Sequence, residues 1–358
     1  MHKAENIKYY NVFDDIRDYP DAYIIVAYSR RSVGKTYGAL WGYLQRGETV
    51  VYIKRTNKDI DLICKPLDHY KNSPYSPINR DHGTNIIPVK ESDGIACFYH
   101  CNENDEPIGP AVAYALSLNA IKCIKGFNLD SAMAVIMDEF IPQATEPRVL
   151  STEFDGLMDA VLTVQRDRIE RGADPLRLLL FANAESLYCP IIDGLEILSE
   201  LAEVAEKKLT YMYLEKRQIL IHHINNIKLD ERVTKKGMYV CMYGTKWWRK
   251  SYLGEFAHCD FSNIKSVVLK KYQPIARCWY REKAFYIYRK DRDFHVCEIP
   301  NNKYRQDFNL DRDNDVRLFY GKYCFDLQEN CTMGHVSFSN YALYDLIMNF
   351  DKRFKKVL

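Results

Sequence analysis

The chain has 358 residues, 47% of them apolar and 27% charged, which excludes a disordered protein and leaves room for two domains and a connecting module. Its 50 basic and 48 acidic side chains give a formal charge of +2, so any DNA contact has to come from a local basic patch. The longest apolar run is far shorter than the roughly 20 residues of a membrane span. No signal peptide opens the sequence, and its 11 cysteines include no CxxC pair. A soluble intracellular protein with reduced thiols is expected. "CFYHC" (Cys97, His100, Cys101) lacks a second ligand pair at finger-like spacing, which argues against structural zinc.

In chain order, "AYIIVAY" (22–28), "TVVYIK" (49–54), "AVAYALS" (111–117), "SAMAVIMDEF" (131–140) and "LRLLLFAN" (176–183) each read as a buried strand. Continuous apolar runs of this kind suit a mostly parallel sheet with helices on both faces, an α/β fold. Phe154, Leu157, Met158, Val161 and Leu162 recur at helical spacing, with Gly172 as the expected stop. Residues 196–231 read as helical in character. "TKKGMYVCMYGTKWWRKS" follows, with Lys235, Lys236, Lys246, Arg249 and Lys250 interleaved with Trp247 and Trp248; it suits either nucleic-acid contact or a hairpin packed on a neighbouring domain. From about Ser266 the pattern is antiparallel strands and then a terminal helix. The expected division is 1–196, 197–264 and 265–358.

"SRRSVGKTY" follows the first strand and opens a helix, the context a phosphate-binding loop needs. Ser29, Arg30, Arg31, Ser32, Val33, Gly34, Lys35, Thr36 and Tyr37 would surround ATP: backbone amides hold phosphate oxygens, Lys35 reaches the β and γ phosphates and Thr36 ligates Mg²⁺. Against GxxxxGK[ST], Ser29 replaces the first glycine, which a loop tolerates if that residue keeps a negative φ. "MAVIMDEF" is an apolar strand ending in Asp138, which would hold Mg²⁺ through water, and Glu139, which would polarise the attacking water. Asn183, ending "LLLFAN", would sense the γ-phosphate.

These stretches, with "VVYIKRTNKDI", "LNAIKCIKGFNLDSAMAVIMDEFI" and "LMDAVLTVQRDR", resemble the genome-packaging ATPases of small tailed phages that replicate linear DNA by protein priming. More broadly they resemble large terminase subunits. The resemblance runs from about Tyr23 to the C-terminus and is strongest in the first 190 residues. It implies an ASCE-type P-loop NTPase with Walker A and Walker B motifs, and an ATP hydrolase that translocates double-stranded viral DNA into a preformed capsid.

Residue by residue, the resemblance gives Arg31 a place against the phosphates and Lys125 a role on a neighbouring subunit's nucleotide. Arg166 matches the arginine finger, with Arg168 as the alternative. A finger in trans implies a homo-oligomeric ring, pentameric in that family. Lys54, Arg55 and Lys58 match its DNA-facing basic segment, where contacts are to phosphates and carry no sequence. The other implied partner is the phage portal or prohead, directly or through a structural RNA, which places the protein in the host cytoplasm at the portal vertex.

The resemblance further implies an RNase H-like C-terminal domain. Where an active nuclease carries an aspartate in its first strand, this chain has Cys278 and Tyr280, with Glu282 near the end; a degenerate nuclease that binds DNA or the prohead is expected. "DRDNDV" (Asp311, Asp313, Asp315) fails as a calcium loop at Val316 and Lys322 and reads as a solvated turn. The alternatives are a terminase with a live nuclease and a nucleotide-gated DNA-binding scaffold.

Overall fold

The computed structural model describes residues 9–120, 129–143, 150, 152–227, 229, 231–256, 259 and 261–358. The chain divides into two compact units, Met1–Glu196 with Glu203–His258, and Ile197–Ala202 with Cys259–Leu358.

The first unit is built on a nine-stranded sheet. Its strands are β1 (Ile24–Ser29), β2 (Thr49–Lys54), β3 (Ile86–Ser92), β4 (Ile95–Cys101), β5 (Pro107–Ser117), β6 (Ala132–Asp138), β7 (Arg177–Asn183), β8 (Tyr211–Leu214) and β9 (Ile219–Ile224). They run in the order β3-β4-β5-β2-β6-β7-β1-β9-β8. Strands β5, β2, β6, β7, β1 and β9 are mutually parallel, while β3, β4 and β8 pair antiparallel at the two edges. The five strands expected from the sequence are β1, β2, β5, β6 and β7, and together they form the centre of the sheet. Val50, Tyr52, Ala134, Ile136, Leu179 and Phe181 fill its core, and continuous apolar runs are what strands covered on both faces require.

Two helical expectations change. Residues 211–224 form β8 and β9, because "YMYL" and "ILIHHI" are aromatic and β-branched runs and β9 is buried throughout beside β1. The helix expected to run to Gly172 ends at Gln165: Arg166 adopts φ 40°, and the buried Arg168 side chain ties the following turns to carbonyls of other segments. The basic-aromatic segment is not a hairpin. It forms short helical turns at Met238–Cys241, Lys246–Trp248 and Arg249–Leu253, with Trp248 buried and Trp247 exposed.

The helices of the first unit include α1 (Val12–Asp18), α2 (Lys35–Gln45), α3 (Asn57–Ile63), α4 (Ser76–His82) and α5 (Glu153–Gln165). Asn11 caps α1, and Thr56 with Asp59 forms a capping box on α3.

The second unit has a five-stranded mixed sheet in the order β13-β10-β11-β12-β14. The strands are β10 (Gln273–Tyr280), β11 (Lys283–Lys290), β12 (Asp293–Cys297), β13 (Gln306–Asn309) and β14 (Val336–Phe338). β10, β11 and β12 form the expected antiparallel set, and β13 and β14 join it in parallel. Phe319, Leu327, Phe338, Ile347 and Phe350 pack this unit's core. The terminal helix is broken at Asn349 into Tyr341–Met348 and Phe350–Arg353. Asp311 accepts the Arg281 amide in a turn and Asp315 accepts the Asn309 amide, but Asp313 and Asp315 open the helix Asp313–Phe319 where a solvated turn was expected, their charges suiting its N-terminus. Among the described residues no helix is long and apolar enough to cross a membrane.

Candidate functional site

The site lies at the carboxyl ends of β1, β7 and β6. In register Ser29 stands beside Asn183, and Phe181 of the same β7 stands beside Asp138 of β6. One strand therefore separates the loop-bearing strand from the strand that ends in two acids. Outward from such strand ends an open parallel sheet leaves a crevice for ligands.

The loop leaves β1 at Ser29 and enters α2 at Lys35. Gly34 has φ 82° and ψ 24°, a left-handed conformation suited to glycine, and a Cβ there would sit 2.7 Å from Cδ1 of Tyr9. The preceding Val33 carbonyl is pinned by the Tyr10 amide at 2.9 Å. The first turn of α2 contains no acid, so no side chain of that turn offsets the positive end of its dipole. Ser29 is not among the described residues with positive φ, which meets the condition set for a serine at that position.

Lys35 is buried. Its ammonium donates to Ser29 Oγ at 2.7 Å, with Asn183 Oδ1 at 3.4 Å and the Arg30 carbonyl at 3.5 Å. The Ser29 hydroxyl accepts from Lys35 and donates to the Arg30 carbonyl at 2.6 Å, so one oxygen both holds the lysine and braces the loop. Burial pulls the Lys35 pKa down to about 8, opposed by the charges of Asp138 and Glu139. Thr36 and Tyr37 are partly buried at the start of α2, and Ser32 is exposed at φ 62°.

Asp138 Oδ1 accepts the Glu139 amide at 2.9 Å, and Glu139 has φ 56°. Arg55 holds this corner from outside. Its guanidinium donates to the Glu139 carbonyl at 2.8 Å, the Phe140 carbonyl at 2.6 Å and Glu153 Oε1 at 2.6 Å, and its side chain is only 14% exposed. Of the three residues expected at DNA, Arg55 thus turns inward. Lys58 is exposed on α3. Lys54 lies 5.4 Å from the centre of the Tyr52 ring; burial disfavours its charge, but Tyr52, Asp138 and Glu139 more than offset this and raise its pKa.

The two finger candidates differ in kind. Arg166 caps the end of α5, is 38% exposed and lies 3.7 Å from Asp130. Arg168 is 8% exposed and donates to the carbonyls of Asp174, Asp130 and Ala132. Lys125 lies outside the described residues.

Sequence reasoning missed Glu185, two residues beyond β7. Its buried carboxylate lies between Lys250 Nζ, 2.6 Å from Oε2, and Arg31 Nη2, 3.6 Å from Oε1. Its trace in the sequence is a lone acid at the end of an apolar strand, a pattern shared with many solvated turns. Arg30 reaches the other way, to the Ile227 carbonyl at 3.3 Å, and its pKa is lowered by burial.

No protein-family model matches this sequence, and no curated protein matches it. In fold the chain is similar to a solved structure described as the Phi-28 gp11 DNA packaging motor, with 16% identity, a TM-score of 0.59 and coverage of 96% of this chain and 98% of that one. It is also similar to a chain of the bacteriophage Phi-29 viral genome packaging motor assembly, with 14% identity, a TM-score of 0.61 and coverage of 98% and 100%. At these identities the likeness is one of fold, and it extends over nearly the whole of each chain.

Proposed function

We propose that this protein is an ATP-driven motor that moves double-stranded DNA into a preformed phage capsid. The observation that carries the reading is the convergence of Ser29, Lys35, Asn183, Asp138 and Glu139 at the ends of three strands, two of them flanking the third. The loop and α2 fit a polyphosphate: a buried ammonium, a left-handed glycine and an acid-free helix N-terminus together select an anion. The Thr36 hydroxyl and the Asp138 carboxylate are hard oxygen donors of the kind Mg²⁺ takes. When bound there, the ion would neutralise charge on the β and γ phosphates.

The chain's own residues then have separable tasks. Lys35 exchanges Ser29 for phosphate oxygens, and Arg31 adds a second cation from the same loop. Glu139 accepts a proton from the attacking water, and Asn183 donates its amide toward the γ-phosphate. Arg166 is the surface-exposed candidate for a finger reaching a neighbouring subunit in a homo-oligomeric ring, whereas Arg168 holds its own subunit together; Lys125 is assigned to the same neighbouring site by resemblance. Lys54 and Lys58 carry charge suited to the DNA backbone. The second unit is read as a degenerate RNase H-like domain: the buried thiol Cys278 occupies β10, where a two-metal nuclease would need a carboxylate.

The test is ATP hydrolysis by the purified protein with and without long duplex DNA, with Glu139→Gln as control. Stimulation by DNA of any sequence, abolished in the variant, supports a translocating motor. Hydrolysis that stays indifferent to DNA even on assembled proheads would reject it and favour a nucleotide-gated scaffold.

A further inference from the structure

The buried carboxylate of Glu185 joins the candidate phosphate loop to the basic-aromatic segment, and its two oxygens are used unequally. Oε2 receives Lys250 at 2.6 Å. Oε1 has Arg31 at 3.6 Å, beyond hydrogen-bonding distance, and no hydrogen-bond partner among the described residues. The carboxylate is 2% exposed, so its charge needs a nearby cation; Lys250 meets that need closely and Arg31 loosely.

The backbone repeats the connection. The Arg31 amide donates to the Ser251 carbonyl at 3.4 Å. Gly254 has φ +69°, and a Cβ on it would lie 2.6 Å from the Arg30 nitrogen, so the segment that carries Lys250 rests directly on the loop main chain. Residues 249–254 are thus seated against the residues the ATP reading assigns to the phosphates.

We propose that Glu185 is a positioning residue for Arg31, and that Lys250, by satisfying the same carboxylate, leaves Arg31 available to a nucleotide's terminal phosphate. The inference rests on the nucleotide reading of the loop. Its physical content is competition: with Lys250 in place the buried carboxylate keeps a close countercharge when Arg31 turns away. Without Lys250, Arg31 is its remaining close cation among the described residues, and moving it onto phosphate would strand a buried charge. Lys250 therefore acts on nucleotide affinity through two other side chains.

The experiment is equilibrium binding of a fluorescent Mg-ATP analogue to the full chain, with thermal melts to verify folding of each variant. Lys250→Gln raises Kd about fivefold, and Lys250→Arg restores it. In an Arg31→Gln background, which binds more weakly from the start, adding Lys250→Gln changes nothing further, because the residue through which it acts is gone. A general loosening of the segment would instead weaken binding equally in both backgrounds, and that result overturns the proposal. So does a neutral Lys250→Gln. Absence of nucleotide binding by the unmodified chain would reject the nucleotide reading itself, a failure distinct from either.

Discussion

Arg55 donates a hydrogen bond to the main-chain carbonyl of Glu139 at 2.8 Å and so holds the backbone of the residue proposed to activate water. Glu139 has φ 56°, a conformation unusual for a residue with a side chain, and the guanidinium fixes both its carbonyl and the next one while pairing with Glu153. Arg55→Lys keeps the charge but loses the fork that spans three acceptors. Turnover should fall about tenfold to a hundredfold, as for misplacement by an ångström, with nucleotide affinity within about twofold. Duplex-DNA affinity should be unchanged in Arg55→Lys and reduced in Lys58→Ala, which steady-state kinetics and a salt-dependent binding assay resolve.

Arg166 and Arg168 lie two residues apart and should behave as opposites. Arg168→Ala removes a buried guanidinium that satisfies several carbonyls, and should cost about 2–4 kcal/mol in denaturant unfolding. Arg166→Ala should change stability by less than about 1 kcal/mol, bind ATP normally and lose hydrolysis. Mixing Arg166→Ala with Glu139→Gln subunits should restore part of the turnover, since each supplies what the other lacks. Two inactive subunits that stay inactive when mixed would remove Arg166 from the trans role.

Ser29 should oppose nucleotide binding. Its hydroxyl is the closest acceptor of the Lys35 ammonium, at 2.7 Å, so Ser29→Ala deprives a buried cation of a hydrogen bond. That should cost the empty protein about 1–2 kcal/mol. If phosphate replaces Ser29 as the partner of Lys35, the loss falls mainly on the empty state, and ATP should bind tighter by about fivefold or more. Weaker binding in Ser29→Ala would mean the hydroxyl stays on Lys35, or on the ligand, in the complex.

Lys35 also gives the site a pH dependence of definite sign. Burial lowers its pKa to about 8 in the empty protein, so above that pH a growing fraction is neutral. Binding a polyphosphate favours the charged form, so binding at pH 9 must take up a proton. Affinity should be flat below about pH 8 and weaken above it, approaching tenfold per pH unit. Calorimetry in two buffers of different ionisation enthalpy measures the uptake directly. The same shift bears on folding: the depressed lysine adds stability as pH rises from about 8 towards its unfolded value, and none is gained below 8.

The strand–loop–helix at 24–45, the strand that ends at Asp138 and the one that ends at Asn183 were legible in the sequence because each is local. An apolar run fixes a strand, and the residues just past its end must lie at the sheet's carboxyl edge. That placed Lys35 and Asp138 on one edge before any strand order was known. The helical expectation for 196–231 held at Leu198–Glu206 and failed at 211–224, where the tyrosines of β8 and the isoleucines of β9 pair into a sheet edge beside β1 that no local pattern reveals.

What the tertiary structure alone decided is which charged side chains are turned inward. Arg55 and Arg168 read in sequence like Lys58 and Arg166, as bases near strand and helix ends. Only the three-dimensional arrangement of carbonyls at Glu139, Phe140, Asp130 and Asp174 draws the first pair into the protein. Glu185 is the same case in the opposite charge. Its cations come from a loop 154 positions earlier and a segment 65 positions later (185 − 31 and 250 − 185). A buried ion is defined by what surrounds it, and no periodicity or local motif encodes partners so distant in the chain.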